Sequence, residues 1–319
     1  MVSNQIKIQF TDFYQIPNEE ENYLYKYLKQ YFNLELSDDP DVVIYSNYGF
    51  EYKQYECLRV LFCAEYAIPD IEDCDYCFSQ HHASYWGKNY RLPMYVFWQN
   101  FSLKFEELLR PVDYEEIRKQ DRGFCSFVVS SPLGSQTRVN FMHELSSYKK
   151  VDSGGKLLNN IGGPVANKRD FLKKYKFNIA FANGLADGYA DEKIVDPMFV
   201  DSIPIFWGNP RIAEDFNPAS FVNCHDYDNF DSVIKEVIRI DKNEDVYRSY
   251  LEQPWFPENK LTRYVDLDHL QNRFRYIFSQ IGKKVPAARS KRRFFYKLLK
   301  KLKPLTPIVQ QWGDYQPSN

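Results

Sequence analysis

The chain has 319 residues, of which 44% are hydrophobic and 17% are aromatic. This length fits two domains of roughly 150 residues each, and this composition excludes an intrinsically disordered chain. The sequence has no run of the roughly 18 to 20 apolar residues that a membrane-spanning helix needs, and its N-terminus does not resemble a secretory leader. We therefore expect a globular protein that is located in the cytoplasm.

The six cysteines are too sparse and too irregularly spaced for a disulfide framework, so we expect free thiols. Cys74 and Cys77 form a C-x-x-C pair, but a zinc site needs two further ligands at matching spacing, and the sequence offers none. His81 and His82 likewise lack partner ligands. The sequence therefore predicts no metal site.

The formal net charge is only −2, but the charge is unevenly distributed. Residues 283–303 contain ten Lys and Arg and no acid, which leaves an acidic body with a basic tail. Within the tail, one face of a predicted helix carries Phe294, Phe295, Leu298, Leu299 and Leu302, a pattern typical of helices that lie on anionic membranes. A helix that docks on a partner protein is the alternative. Nucleic acid is a poor candidate because the body is acidic and no RNA-binding motif is present.

Apolar segments of the first half alternate with a helical pattern. The sequence predicts strands at residues 6–10, 41–46 and 58–65, and a helix within residues 18–32. The second and third strands are continuously apolar, as in strands that are buried on both faces of a parallel sheet.

A second series follows a polar connector at residues 110–122. It predicts strands at 124–131, 176–182, 203–208 and 220–224, and helices near 138–148, 192–199 and 266–281. Alternation of strands and helices in both halves indicates an α/β protein with two doubly wound sheets.

Ligands of open α/β sheets bind beyond the carboxyl ends of the strands, so residues that follow strands are the candidates for function. Glu192 and Lys193 begin a helix, where backbone N–H groups and a lysine suit phosphate oxygens; acids that only complement the helix dipole are the alternative. Arg138 follows a loop rich in hydroxyls and could bind a diphosphate, although the loop could equally be an N-cap. Glu65 ends a strand, either as a general base or as a solvated acid.

With these residues in place, the chain resembles the bacterial α1,3/4-fucosyltransferases of glycosyltransferase family 10, the Helicobacter Lewis-antigen type. The segments FCSFVVSS, YKFNIAFAN, GYADEK, IPIFWGNP and DFNPASFVNCHD, between residues 124 and 226, carry the resemblance most specifically. DVVIYSNYG and LFCAEYAIPD extend it into the first half.

The resemblance implies a GT-B fold, in which two Rossmann-like, doubly wound α/β domains face each other across a cleft. It also implies inverting transfer of L-fucose from GDP-fucose to the 3-hydroxyl of GlcNAc in an N-acetyllactosamine-type glycan, as in lipopolysaccharide, without a cofactor or a required metal. The basic tail would place the protein on the inner face of the bacterial membrane. We accordingly expect an acceptor-binding domain at residues 1–118, a donor domain at 119–265, a helix that packs back at 266–282 and a membrane-associating tail at 283–319.

By matching position, the resemblance implies roles for six residues. Glu65 would deprotonate the acceptor hydroxyl, and Glu192 would contact the donor and stabilise positive charge on its sugar ring. Arg138 and Lys193 would neutralise the departing diphosphate, and Asn183 and Tyr189 would line the donor site. The chain departs from the family pattern F-E-N-T at Ala182 and Gly184, and Tyr66 replaces the Asn that follows the base. The changes at Ala182 and Gly184 leave open a different nucleotide-sugar donor, and the missing acid at 182 also leaves open a binding protein without turnover. The change at Tyr66 leaves open which glycan is the acceptor.

Overall fold

The computed structural model describes residues 5–14, 18–63, 67–132 and 134–283. It divides into two compact units, the first formed by residues up to Leu92 together with the segment from Leu267, and the second formed by Pro93–Asp266. Glu65 and the basic tail beyond residue 283 lie outside the described residues.

The first unit contains a six-stranded parallel sheet in the order β2-β1-β3-β4-β5-β6. The predicted strands at 6–10, 41–46 and 58–65 are confirmed as three of its members, although the third ends at Phe62, before its predicted end. The other three strands were not predicted. The six strands are β1 (Ile6–Thr11), β2 (Leu34–Leu36), β3 (Val42–Tyr45), β4 (Leu58–Phe62), β5 (Tyr76–Ser79) and β6 (Asn89–Arg91).

Helix α1 (Tyr23–Leu28) is shorter than the helical pattern over residues 18–32 predicted. Asn22 caps it, because its side-chain oxygen accepts hydrogen bonds from the backbone N–H groups of Leu24 and Tyr25. The preceding residues Glu19–Glu21 form a separate 3-10 turn. The predicted helix therefore included residues on both sides of Asn22, where the chain changes from the 3-10 turn to α1.

The second unit contains a five-stranded parallel sheet in the order β11-β10-β9-β7-β8. Its strands are β7 (Gly123–Phe127), β8 (Val151–Ser153), β9 (Tyr175–Phe181), β10 (Ile203–Trp207) and β11 (Val222–Asn223). Its helices are α2 (Met94–Phe97), α3 (Tyr114–Ile117), α4 (Thr137–Ser146), α5 (Lys168–Leu172), α6 (Glu192–Met198), α7 (Phe230–Lys242) and α8 (Glu244–Leu251).

Helices cover both faces of this second sheet. Phe177, Ile179 and Phe181 of β9 belong to one core cluster with side chains of α4, α7 and α8. The alternate residues Asn178 and Ala180 are also buried, on the side where α5 and α6 contact β9. Burial on both faces explains the continuous apolar runs that predicted these strands.

Residues 93–118 belong to the second unit, whereas the sequence-based boundary assigned them to the first domain. Tyr95 explains this difference, because its backbone N–H donates to Ala190 O and its ring lies 5.2 Å from that of Phe216. Further along the segment, Asn259 donates to Leu109 O at 3.2 Å. The segment therefore packs within the second unit, although it precedes the first strand of that unit's sheet.

Helix α9 (Leu267–Phe278), the last helix among the described residues, packs on the first unit. Its Phe274 stacks on Phe78 of β5 at 4.5 Å between ring centroids. Its Arg273 donates to the backbone oxygens of Gly87 and Lys88. The chain therefore returns to its first unit after completing the second.

The backbone at Gly155, which follows β8, lies so close to the backbone of Val129 that only glycine fits. A Cβ atom at this position would lie 1.9 Å from Val129 O, and a backbone atom cannot move aside as a flexible side chain does. We expect Gly155→Ala to lower the free energy of unfolding by at least about 2 kcal/mol, the scale of an overpacking defect. Urea denaturation would measure it. The exposed neighbour Lys156→Ala is the control, and equal stability of the two variants would contradict the prediction.

Candidate active site

Arg138 joins two loops at the carboxyl edge of the second sheet. It is the second residue of α4, it is only 1% exposed, and its guanidinium reaches the loop after β9 as well as its own loop after β7. Nη1 donates to Asn183 Oδ1 at 2.9 Å, and Nη2 donates to Ser131 O at 2.7 Å. Gly134 adopts a φ of +136°, and a Cβ there would also lie 2.8 Å from this guanidinium, so the loop favours glycine at this position. The arginine is thus held at the position where ligands of parallel sheets bind.

Ser135 connects the same two loops through backbone and side chain. Its N–H donates to Asn183 O at 2.8 Å, and its hydroxyl accepts a hydrogen bond from the N–H of Thr137 at 3.1 Å. The N-cap position of α4 is Gln136, whose side chain makes no capping hydrogen bond, so the N-cap alternative is wrong for this helix. The Ser135 hydroxyl bond instead stabilises the turn that precedes α4. It does not conflict with a binding role, since Arg138 follows within the same turn.

The loop after β9 is fixed by Asn209, a fully buried residue that follows β10. Its side-chain oxygen accepts from Gly188 N at 2.8 Å, and its backbone N–H donates to Tyr189 O at 3.1 Å. Gly188 adopts a φ of +81°, which glycine tolerates best. These contacts hold Tyr189, which is 1% exposed, at the base of the loop. Sequence analysis missed Asn209, although its place directly after a strand was a usable signal.

Helix α6 begins at Glu192, as predicted, and Asp191 is its N-cap. The Asp191 carboxylate accepts a hydrogen bond from Lys193 N and binds Lys193 Nζ at 2.6 Å. Glu192 Oε1 lies 3.8 Å from the same amine. The lysine therefore lies between two acids, the nearer of which is the buried capping residue.

Two cations of α5 approach α6 from the side. Lys168 Nζ lies 2.7 Å from Asp196 Oδ2 and 3.3 Å from Glu192 Oε1. Arg169 Nε donates to Asp196 Oδ1 at 3.0 Å, and its guanidinium carbon lies 4.1 Å from the centroid of the Phe199 ring. Sequence analysis did not predict α5 or its role in this network.

In this site, burial and neighbouring charges shift the pKa values of Arg138 and Asp191 in opposite directions. Burial lowers the pKa of Arg138, and the negative charge of Asp191 acts in the opposite direction. Burial raises the pKa of Asp191 above its ordinary value, although Lys193 opposes the shift. An arginine remains protonated even when buried, so the site retains a fixed positive charge at Arg138.

Five of the six predicted site residues therefore lie in the second unit at one edge of its sheet: Arg138, Asn183, Tyr189, Glu192 and Lys193. Arg138 contacts Asn183 directly, and Asp191 interacts electrostatically with both Arg138 and Lys193. The sixth, Glu65, lies outside the described residues, and its role remains a prediction.

The expected free thiols are confirmed for all six cysteines, and Cys77 lies in β5 as a strand residue. Within the part of the chain that the structure describes, no three His, Cys, Asp or Glu side chains are grouped so that they could hold a metal ion. Within the same residues, no helix combines the length and the apolar character required to cross a bilayer.

A buried arginine and a helix-start lysine at the carboxyl edge of a parallel sheet are typical of α/β proteins that bind nucleotides or phosphorylated ligands. Comparisons with known proteins identify the family to which the chain belongs. The model for the C-terminal region of glycosyltransferase family 10 (fucosyltransferase) matches residues 118–301, and the model for the N-terminal domain of α-(1,3)-fucosyltransferase FucT matches residues 8–98. The chain belongs to glycosyltransferase family 10, the fucosyltransferase family.

Solved structures support the same conclusion over most of the chain. A crystal structure of an α1,3-fucosyltransferase with GDP has a TM-score of 0.73 and 27% sequence identity, over 89% of this chain and 92% of that one. A structure of an α1,3-fucosyltransferase with GDP-fucose has a TM-score of 0.69 and 26% identity, over 88% and 91%. The expected α/β fold class with two Rossmann-like units is therefore confirmed.

Among curated relatives, the α-(1,3)-fucosyltransferase FucT of Helicobacter pylori is 45% identical over 130 residues, which are 41% of this chain and 27% of that protein. The GDP-fucose protein O-fucosyltransferase 3 of Danio rerio is 29% identical over 178 residues, which are 52% of this chain and 38% of that protein. The matches thus span well under half the length of these relatives.

Proposed function

We propose that the protein transfers L-fucose from GDP-fucose to the 3-hydroxyl of GlcNAc in an N-acetyllactosamine-type glycan, with inversion at the anomeric carbon. Family membership and the likeness to α1,3-fucosyltransferases with GDP and GDP-fucose support the donor. The named H. pylori relative supports the linkage. The observation that carries the proposal is the buried Arg138 guanidinium, held by two loops at the sheet edge where a nucleotide diphosphate is expected.

Arg138 and Lys193 would stabilise the diphosphate as it leaves. Negative charge increases on the diphosphate oxygens while the bond to the sugar breaks, so positive groups fixed nearby stabilise the transition state more than the ground state. Arg138 is fixed by Asn183 and Ser131. Lys193 is held by Asp191 at 2.6 Å, and it would exchange part of this contact for a phosphate oxygen.

Glu192 would stabilise the opposite charge. The sugar ring becomes positive as the leaving group departs, and an ionised carboxylate beside the ring favours that state. Burial alone would raise the pKa of Glu192, but Lys193 and Lys168 lower it below its ordinary value. Glu192 is therefore ionised at neutral pH, as this role requires. Asn183 and Tyr189 would line the donor around these charges.

Glu65 would act as the general base that removes the proton from the acceptor hydroxyl. A single displacement with inversion requires attack opposite the leaving diphosphate, and a carboxylate that accepts the proton increases the nucleophilicity of the hydroxyl. The assignment depends on the resemblance of LFCAEYAIPD to the family. No cofactor enters the proposed reaction, and the chemistry as proposed does not use a metal.

A panel of nucleotide sugars and acceptors tests the proposal directly. We expect release of GDP from GDP-fucose that depends on N-acetyllactosamine, with little release of nucleotide from GDP-mannose or UDP-sugars. Turnover of another donor would favour a different nucleotide-sugar transferase, which the departures at Ala182 and Gly184 leave open. Calorimetric GDP binding without transfer to any acceptor would favour a binding protein. A serine- or threonine-containing peptide belongs in the acceptor panel, because the Danio relative is named for protein O-fucosylation.

We further propose that the basic tail places the enzyme on the cytoplasmic face of the membrane, near a lipopolysaccharide-type, Lewis-antigen acceptor. The motivation is the charge of residues 283–303 and their predicted apolar face. We expect a chain that ends at residue 282 to keep transfer to soluble lactosamine but to lose sedimentation with anionic vesicles. Sedimentation that persists after truncation would contradict the membrane role of the tail.

A further inference from the structure

Lys168 links the fifth and sixth helices at a point where the proposed mechanism needs a fixed carboxylate. Its amine lies 3.3 Å from Glu192 Oε1 and 2.7 Å from Asp196 Oδ2. Its side chain is about one-quarter exposed, whereas those of Glu192 and Asp196 are 10% and 3% exposed. The contact is therefore a charge-assisted one in a partly desolvated place, where such contacts are stronger than at the surface.

Lys168 is nearer to Glu192 than Lys193 is. The Lys193 amine lies 3.8 Å from Glu192 but 2.6 Å from Asp191, which is its principal partner. When Lys193 turns toward a diphosphate, its attraction for Glu192 weakens further. Lys168 belongs to a different helix and is also bound by Asp196 at 2.7 Å, so its position does not depend on the side chain of Lys193.

Both lysines contribute to the charge state of Glu192, Lys193 more strongly than Lys168. Burial alone would lower the pKa of Lys168, but Glu192 and Asp196 raise it above the ordinary lysine value. Burial alone would raise the pKa of Glu192, but Lys193 and Lys168 lower it. Both members of the contact are thus ionised at neutral pH.

We propose that Lys168 is a positioning residue that fixes the Glu192 carboxylate beside the donor sugar, separately from the lysine that binds the diphosphate. The inference rests on the proposed function, because it assigns Glu192 to the sugar ring. It divides the cations into two groups. Arg138 and Lys193 act on the leaving group, while Lys168, which Asp196 also binds, acts on the reaction through Glu192.

Arg169 provides a matched control for a merely structural role. It also bridges α5 to α6, through Asp196 Oδ1 at 3.0 Å, but no contact joins it to Glu192 among the described residues. Lys168→Met removes the charge and keeps a similar length, and Arg169 still holds Asp196 in that variant. Arg169→Met removes the other bridge and leaves the contact between Lys168 and Glu192 in place.

The experiment measures turnover of GDP-fucose with N-acetyllactosamine, and GDP affinity by calorimetry, in the full-length protein. For Lys168→Met we expect kcat to fall about tenfold or more, which is the scale of one lost charge-assisted contact. We expect GDP affinity within about twofold of wild type, because GDP carries no sugar. For Arg169→Met, kcat per folded molecule should be close to that of wild type even if thermal stability falls. Lys168→Arg should recover most of the lost turnover.

Three results would overturn the inference: unchanged kcat in Lys168→Met, an equal loss of kcat in Arg169→Met, or a parallel loss of GDP affinity. The wild-type control separates this inference from the proposed function. If wild type transfers fucose and Lys168→Met does so equally well, only the positioning role fails. If wild type transfers no sugar from any donor in the panel, the proposed function fails and the inference fails with it.

Discussion

Lys193→Ala is expected to lower kcat/KM for fucose transfer by two decades or more. The lysine is the second residue of α6, after the loop that follows β9, and its side chain is only 13% exposed. Removal of one well-placed partner of a developing charge costs on the order of 3 kcal/mol of transition-state stabilisation, which corresponds to about a hundredfold in rate. Because GDP retains the diphosphate, its affinity should fall as well.

The substitution also leaves Asp191 buried without the amine that lies 2.6 Å from it, so stability has to be measured in parallel. Thermal denaturation corrects the rate for the folded fraction, and Lys193→Arg restores the charge with a different shape. The exposed Lys174→Ala in the same unit is the matched control. A folded Lys193→Ala variant with near wild-type kcat/KM would refute the role of Lys193.

Glu65→Gln is expected to lower kcat by two decades or more while GDP affinity stays within about twofold of wild type. The amide has nearly the same size as the carboxylate but cannot accept the proton of the acceptor hydroxyl, and general-base catalysis contributes roughly a hundredfold or more. The separation of kcat from GDP affinity distinguishes this variant from Lys193→Ala, in which both should fall.

The exposed acid Glu51 of the first unit supplies the control, since Glu51→Gln removes a carboxylate at a position to which no role is assigned. Retained turnover in Glu65→Gln would exclude it as the base while leaving the donor-site assignments in place. Loss of GDP affinity in the same variant would indicate that the substitution disturbs the fold rather than the proton transfer.

The sequence predicted the central strands because they are buried on both faces. Phe177, Ile179 and Phe181 on one side, and Asn178 and Ala180 on the other, leave β9 with little exposed surface, so the apolar run is nearly continuous. Edge strands such as β2 and β8 are three residues long, too short for any periodicity to be recognised. Helix α7 was readable but was missed: Asn229 caps it, and Val233, Val237 and Ile240 recur at helical spacing.

The sequence predicted those site residues that are charged and lie in a segment directly after a strand. Arg138, Glu192 and Lys193 satisfy that rule. Lys168 does not, because it begins a short helix that the sequence did not reveal, and its importance comes from a contact with α6 across 24 positions of the chain. Asn209 acts through backbone groups of residues 20 positions away. Such contacts depend on the topology of the sheet and therefore require the structure.

The most direct test of the central claim is mass spectrometry of N-acetyllactosamine after incubation with the protein and GDP-fucose. The proposed function predicts a product heavier by one deoxyhexose residue, formed together with one GDP, whose new linkage reaches the 3-hydroxyl of GlcNAc with inverted anomeric configuration. An unchanged acceptor under conditions in which the protein is folded and binds GDP would contradict it.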